Sequence, residues 1–154
     1  SMHTQIVKQQ LIKVDLDRLW EFMSSPKNLE RITPKDMKFK ITSRNEEKKI
    51  YEGMIITYSI TPILHFPLNW ITEITHVKEK KYFVDEQKIG PYKMWHHEHI
   101  FEEKKNGILM TDIITYVPPL GFLGKIANRL FIKKKVNQIF EYRKVILDQI
   151  FKQY

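Results

Sequence analysis

Ile113-Ile114-Thr115-Tyr116-Val117-Pro118-Pro119-Leu120-Gly121-Phe122-Leu123-Gly124-Lys125-Ile126 is where the chain changes its hydrophobic period. The residues up to Val117, from Ile108 onward, read as a strand. From Leu123 onward Ile126, Leu130, Ile139, Phe140, Arg143, Ile146, Leu147 and Ile150 recur at three- and four-residue steps, with no proline or glycine after Gly124. The pattern predicts one long helix closing the chain.

Working back from that junction, strand signals accumulate. Tyr82 to Lys88 and Lys93 to Glu103 fit strands, separated from each other and from the last strand by the turn dipeptides Gly90-Pro91 and Asn106-Gly107. Further strands fit Trp70 to Ile74 and Met54 to Ile60, and the alternation of Met37, Phe39 and Ile41 with Lys38, Lys40 and Thr42 predicts another. With an opening strand around Ile6 to Ile12 the count is about seven. Between the first two strands, Asp15 is placed to cap a helix running into Leu19, Trp20 and Phe22, with Val14 stapled onto Leu19. Ser25-Pro26 supplies a cap and a first helical residue for a second short helix, which Pro34 ends. Strands followed by a helix predict an α+β fold, with an antiparallel sheet and helices on one side.

The chain of 154 residues suits one domain, 1–154, and its 42% hydrophobic, 12% aromatic and 29% charged residues suit a globular one. No apolar run has the roughly 18 residues of a membrane span. The lack of cysteine excludes a disulfide framework, a zinc ribbon and thiolate catalysis, and accords with a cytoplasmic setting. The net charge of +8 is scattered over strand faces and hairpin ends, which argues against nucleic acid. Only Lys125, Arg129, Lys133, Lys134 and Lys135 make a concentrated basic segment, open to reading as a solvated helix face or as contact with an anionic membrane or a protein.

Two stretches carry a resemblance. One is Trp20-x-Phe22, Pro26-x-Asn28-Leu29 and Ile32-x-Pro34. The other is Phe83-Val84-Asp85-Glu86-Gln87, Gly90-Pro91-Tyr92, Trp95-x-His97-x-His99-x-Phe101, Thr111-Asp112 and Tyr116-x-Pro118. Gly121-x-x-Gly124 and Tyr142-Arg143 also fit. The chain resembles the START-like, helix-grip proteins of the SRPBCC superfamily, in the branch of bacterial polyketide cyclase/dehydrase-like and coenzyme Q-binding-like ligand-binding proteins, over roughly residues 3 to 152. The resemblance implies a seven-stranded sheet wrapped around the C-terminal helix with a cavity between them. It names no ligand, cofactor or metal.

Strand parity puts Trp95, His97, His99 and Phe101 in one inward row. Successive hairpins would set Phe83, Asp85 and Gln87 on one side of it and Asp112, Ile114 and Tyr116 on the other. Trp70 is expected in the core or as a stacking platform. The expected cavity lining is therefore Trp70, Phe83, Asp85, Gln87, Trp95, His97, His99, Asp112 and Tyr116 from the sheet, with Ile139, Phe140 and Arg143 from the helix. His97 and His99 suit a hydrogen-bond network, polar contact with a ligand, or acid/base work with Asp112. Two histidines with Asp85 or Asp112 could form a facial triad, but no third histidine or glutamate stands at a dedicated spacing, and no metal is expected. No nucleophile elbow or phosphate-binding glycine loop is present. The Pro62 to Pro67 segment is expected as a cavity lid or a tight connection. Three functions follow as expectations: binding of a small hydrophobic or amphipathic molecule (a lipid, quinone, isoprenoid or polyketide-like compound), a cyclase or dehydratase using a His/Asp pair, and a membrane- or protein-docking adaptor working through the basic helix.

Overall fold

The computed structural model describes residues 2–62 and 65–152. Seven strands, β1 (Thr4–Ile12), β2 (Lys40–Ile41), β3 (Met54–Ile60), β4 (Leu68–Lys78), β5 (Tyr82–Ile89), β6 (Met94–Lys104) and β7 (Gly107–Val117), form one sheet in the order β1-β7-β6-β5-β4-β3-β2. Every pair is antiparallel. The register of β4 against β5 shifts at Ile71/Thr72 and again at Ile74/His76. Such irregularities bend a sheet, and this one curves around the C-terminal helix.

Helix α1 (Leu16–Met23) starts at Asp15, whose carboxylate accepts the Arg18 N–H at 2.9 Å, and Val14 joins Leu19 in the core. Two expectations need correction here. The residues after Pro26 form a 3₁₀ helix, Pro26–Ile32, and Ser25 does not cap it: its hydroxyl donates back to the Glu21 carbonyl at 2.8 Å, ending α1 instead. The strand expected around Met37 to Thr42 shrinks to β2, because Lys35–Met37 is a second 3₁₀ turn and Lys38 takes a left-handed conformation at φ 49°. Alternation alone did not register that break.

The closing helix has three parts, α2 (Gly121–Ala127), a π-helical turn (Asn128–Ile132) and α3 (Lys133–Ile150). On α3 the buried stripe is Val136, Phe140, Arg143 and Leu147. Lys8 pairs with Glu141 at 2.9 Å, and the Gln10 amide donates to the Lys144 carbonyl and the Asp148 carboxylate, tying α3 to β1. Ile126 and Leu130, expected on the same buried stripe, are exposed instead (43% and 63%). A π turn holds about one residue more than an α turn. It therefore rotates what precedes it by roughly one residue's angle, and the apolar row of α2 leaves the row of α3.

The core is built from several clusters, in one of which Val136 and Phe140 of α3 pack on Ile6, Ile114 and Tyr116 of β1 and β7. Trp20, Phe83, Phe101, Met110, Leu147 and Phe151 fill another under α1, and Met37, Phe39, Ile60 and Trp70 a third beside the 3₁₀ turns. Toward β3, β4, β5 and β6 the helix stands off the concave sheet.

Candidate functional site

That gap is a cavity of about 770 Å³. Its wall is aromatic toward β3 and β4: Tyr58 stacks on Trp70 with ring centroids 5.7 Å apart, and Tyr92 and Trp95 meet Trp70 edge-on. The same cavity is lined by Asp85, His97, His99 and Arg143. Such a division into an apolar body and a small polar cluster is usual for small-molecule sites.

The polar cluster is held by crossed hydrogen bonds. In the ladder Asp85 lies opposite His97 and Asp112 opposite His99. The side chains pair diagonally instead, with His99 Nε2 and Asp85 Oδ2 at 2.5 Å and His97 Nε2 and Asp112 Oδ1 at 2.7 Å. The two imidazoles stack with centroids 3.6 Å apart, and His99 also stacks on Phe83 at 3.9 Å. Arg143 Nη1 lies 3.7 Å from Asp112 Oδ1, and its guanidinium covers the Phe140 ring at 4.7 Å.

Electrostatics follow from this packing. Burial pushes the Asp112 carboxyl up, but the His97 hydrogen bond and the charges of His97, Arg143 and His99 outweigh it and hold its pKa at about 2. Asp85 is likewise held below the ordinary carboxylate range, since His97, His99 and Arg143 overcome its burial. Burial, reinforced by the neighbouring His97, lowers His99 from 6.5 to about 4 against the pull of both carboxylates. Tyr58 is pushed well above 10 by burial and by the Asp85 charge. At neutral pH the wall therefore holds two carboxylates, a neutral His99 and a guanidinium. Among the described residues, Arg143 Nε and Nη1 have no hydrogen-bond acceptor, nor does the Trp70 indole N–H.

Of the residues expected to line the cavity, Trp70, Phe83, Asp85, Trp95, His97, His99, Ile139, Phe140 and Arg143 do so. Gln87, Asp112 and Tyr116 do not. The Gln87 amide closes the Gly90-Pro91 turn, donating to the Tyr92 carbonyl at 2.6 Å and accepting its N–H at 3.0 Å. Asp112 lies behind His97. The Tyr116 hydroxyl donates to Asn128 at 2.5 Å, which in turn donates to Thr4. The same parity that aims a strand residue inward does not say whether a neighbour fills the space in front of it. Tyr58, Tyr92 and Phe39 line the cavity without having been singled out, although Tyr58 shares its parity with the buried Ile56 and Ile60. Pro62 and Phe66 also line it, while Ile63 and Leu64 of the same connection lie outside the described residues.

Among the described residues, Asp85, His97 and His99 bring one ligand atom each within 4.8 Å of one another, the grouping of two histidines with Asp85 that strand parity allowed. The 2.5 Å between Asp85 and His99 is nevertheless a hydrogen-bond length, shorter than the roughly 3.3 Å that separates two donors on a tetrahedral ion with bonds near 2.0–2.1 Å. The cluster is built first as a proton-linked network. No helix among the described residues is long and apolar enough to cross a membrane.

Comparison with solved structures gives the same architecture. Major latex-like protein 151 from Panax ginseng superposes with a TM-score of 0.71 at 15% identity, covering 99% of this chain and 100% of that one. Protein CV1439 from Chromobacterium violaceum gives 0.74 at 6% identity, covering 97% and 98%. TTHA0849 from Thermus thermophilus gives 0.67 at 14% identity, covering 95% of each. No family model and no curated protein matches the sequence.

Proposed function

We propose that the chain is a START-like, helix-grip protein of the SRPBCC superfamily, a reading supported by the fold it shares with the solved structures. We propose that the whole chain is one ligand-binding domain, whose cavity takes a small amphipathic molecule with a largely apolar or aromatic body. The observation that carries this is a cavity of about 770 Å³ lined by an aromatic group, Tyr58, Trp70, Tyr92 and Trp95, together with a buried polar cluster of Asp85, His97, His99 and Arg143. The body lies against Tyr58, Trp70, Tyr92 and Trp95. A carbonyl or other acceptor on the head satisfies Arg143, and a hydroxyl faces Asp85. Lipids, quinones, isoprenoids and polyketide-like compounds with such a head all meet these requirements.

The test is displacement of an apolar fluorophore by a panel of such compounds, followed by thermal shift. Wild-type protein should bind at least one of them saturably. Ile139→Trp, which puts bulk into the cavity from the helix, should keep its fold and lose the binding. Failure of every compound to bind, or undiminished binding by a folded Ile139→Trp protein, would reject the reading.

A second reading rests on one observation: the Asp85 carboxylate is 19% exposed at the cavity, hydrogen-bonded to a neutral His99. Such a pair could serve as a general base in a cyclase or dehydratase. His99→Ala should then cost roughly 10²- to 10⁴-fold in turnover while substrate affinity survives. In a pure binding protein the same change should lower affinity only modestly, because the apolar contacts remain.

A further inference from the structure

We infer that α2 and the π turn form a docking face for an anionic lipid surface. The π turn leaves the apolar row of this segment exposed. Leu120, Phe122, Leu123, Ile126, Leu130 and Phe131 are 43–76% exposed within twelve residues of chain. Isolated exposed apolar residues are ordinary on protein surfaces, whereas a contiguous group of this size marks an interaction site.

Charge identifies the partner. Phe122, Ile126 and Leu130 succeed one another at four-residue steps, and Lys125, Arg129 and Lys133 make a parallel basic row beside them. Lys134 and Lys135 extend it, and no acidic residue occurs from Leu120 to Lys135. Among the described residues only Lys135 of the five has an acidic neighbour, Asp36 at 3.5 Å. A second copy of the chain meeting this face about a two-fold axis would set one basic row against the other. An anionic bilayer satisfies both rows at once, the apolar one among acyl chains and the basic one among lipid phosphates.

The face also adjoins the cavity. Phe131, Ile132, Lys134 and Lys135 line both, and Phe66, 68% exposed, stands at the same opening. A protein docked this way holds its cavity mouth at the bilayer, where an apolar ligand can pass without crossing water. Docking itself does not depend on the ligand proposal, since it uses only exterior side chains.

The experiment is co-sedimentation of the full chain with phosphatidylcholine vesicles and with mixed phosphatidylcholine–phosphatidylglycerol vesicles, no ligand added. Binding to the mixed vesicles, weakened by salt, is expected. A Lys125→Gln/Arg129→Gln variant should bind on the order of tenfold or more weakly, at about fivefold per basic residue. Phe122→Ser/Leu130→Ser should lose a comparable amount, and thermal melts should show both variants folded because every altered side chain is exposed. Absence of binding to mixed vesicles at low salt would overturn the inference, as would binding unaffected by either variant. A concentration-dependent dimer in sedimentation velocity that Phe122→Ser/Leu130→Ser abolishes would instead assign the face to a second copy and overturn it too.

Discussion

Asp112 shows how much one buried side chain can hold. It accepts from His97 at 2.7 Å, faces Arg143, and is 4% exposed. Asp112→Asn removes the charge that both partners are arranged around. Breaking a buried ion network typically costs about 3–5 kcal/mol, so denaturant unfolding at neutral pH should show a loss in that range; a loss under about 1 kcal/mol would mean that Arg143 and His97 find other partners. The pH dependence has a defined direction. His99 in the fold titrates at about 4 rather than 6.5, so the unfolded chain binds the extra proton first and stability falls as pH drops from about 6.5 toward 4. Asp112, at about 2 rather than 3.8, adds stability that is present above about 4 and lost as pH falls through 2. Urea midpoints measured from pH 7 downward should decrease in two stages, and His99→Phe should flatten the upper one. The identities of these residues and their inward row were legible from strand parity. Their diagonal pairing was not, because it depends on rotamers chosen by neighbours on three strands and the helix.

The elements of the closing helix were legible in type but not in phase. Period and the absence of breakers specify a helix after Gly124, yet nothing in the spacing announces a π turn at Asn128–Ile132. A tertiary anchor lies at its first residue: Asn128 accepts from Tyr116 and donates to Thr4, fixing one point of the helix on β7 and β1. Asn128→Ala should release that point. We expect a loss of about 1–3 kcal/mol and faster amide exchange across α2 than across the second half of α3, checked by hydrogen exchange. Gly124 is the other fixed point of this element. A Cβ there would fall 1.6 Å from the Pro119 carbonyl oxygen, so α2 must move for any larger residue to fit. Gly124→Ala should therefore destabilise by about 3 kcal/mol or more despite its gain in helix propensity, as thermal unfolding would show. A neutral or stabilising result would mean that α2 swings freely from the Pro118-Pro119 corner.

At the scale of the whole molecule the cavity sets the behaviour. A chain folded around about 770 Å³ forgoes the packing that would fill it, so a ligand that enters adds contacts the free protein lacks. At a hundredfold excess over its dissociation constant a ligand adds about 2.7 kcal/mol, roughly 5–11 °C for a domain of this size. The shift should grow with the logarithm of concentration and vanish in Ile139→Trp; a shift that persists there would place the ligand outside the cavity. By itself the sequence determined the order of the elements, the antiparallel sheet, the capped first helix and the inward row of Trp95, His97, His99 and Phe101. These follow from residue type and from periods of two and three to four residues, which are local. Only the tertiary structure decided that Gln87 and Tyr116 serve the frame rather than the cavity, that Tyr58 joins it, and that the first part of the closing helix turns its apolar row to solvent. Each of those outcomes depends on how far one surface stands from another, a distance set by sheet curvature and helix phase, which residue spacing along the chain does not encode.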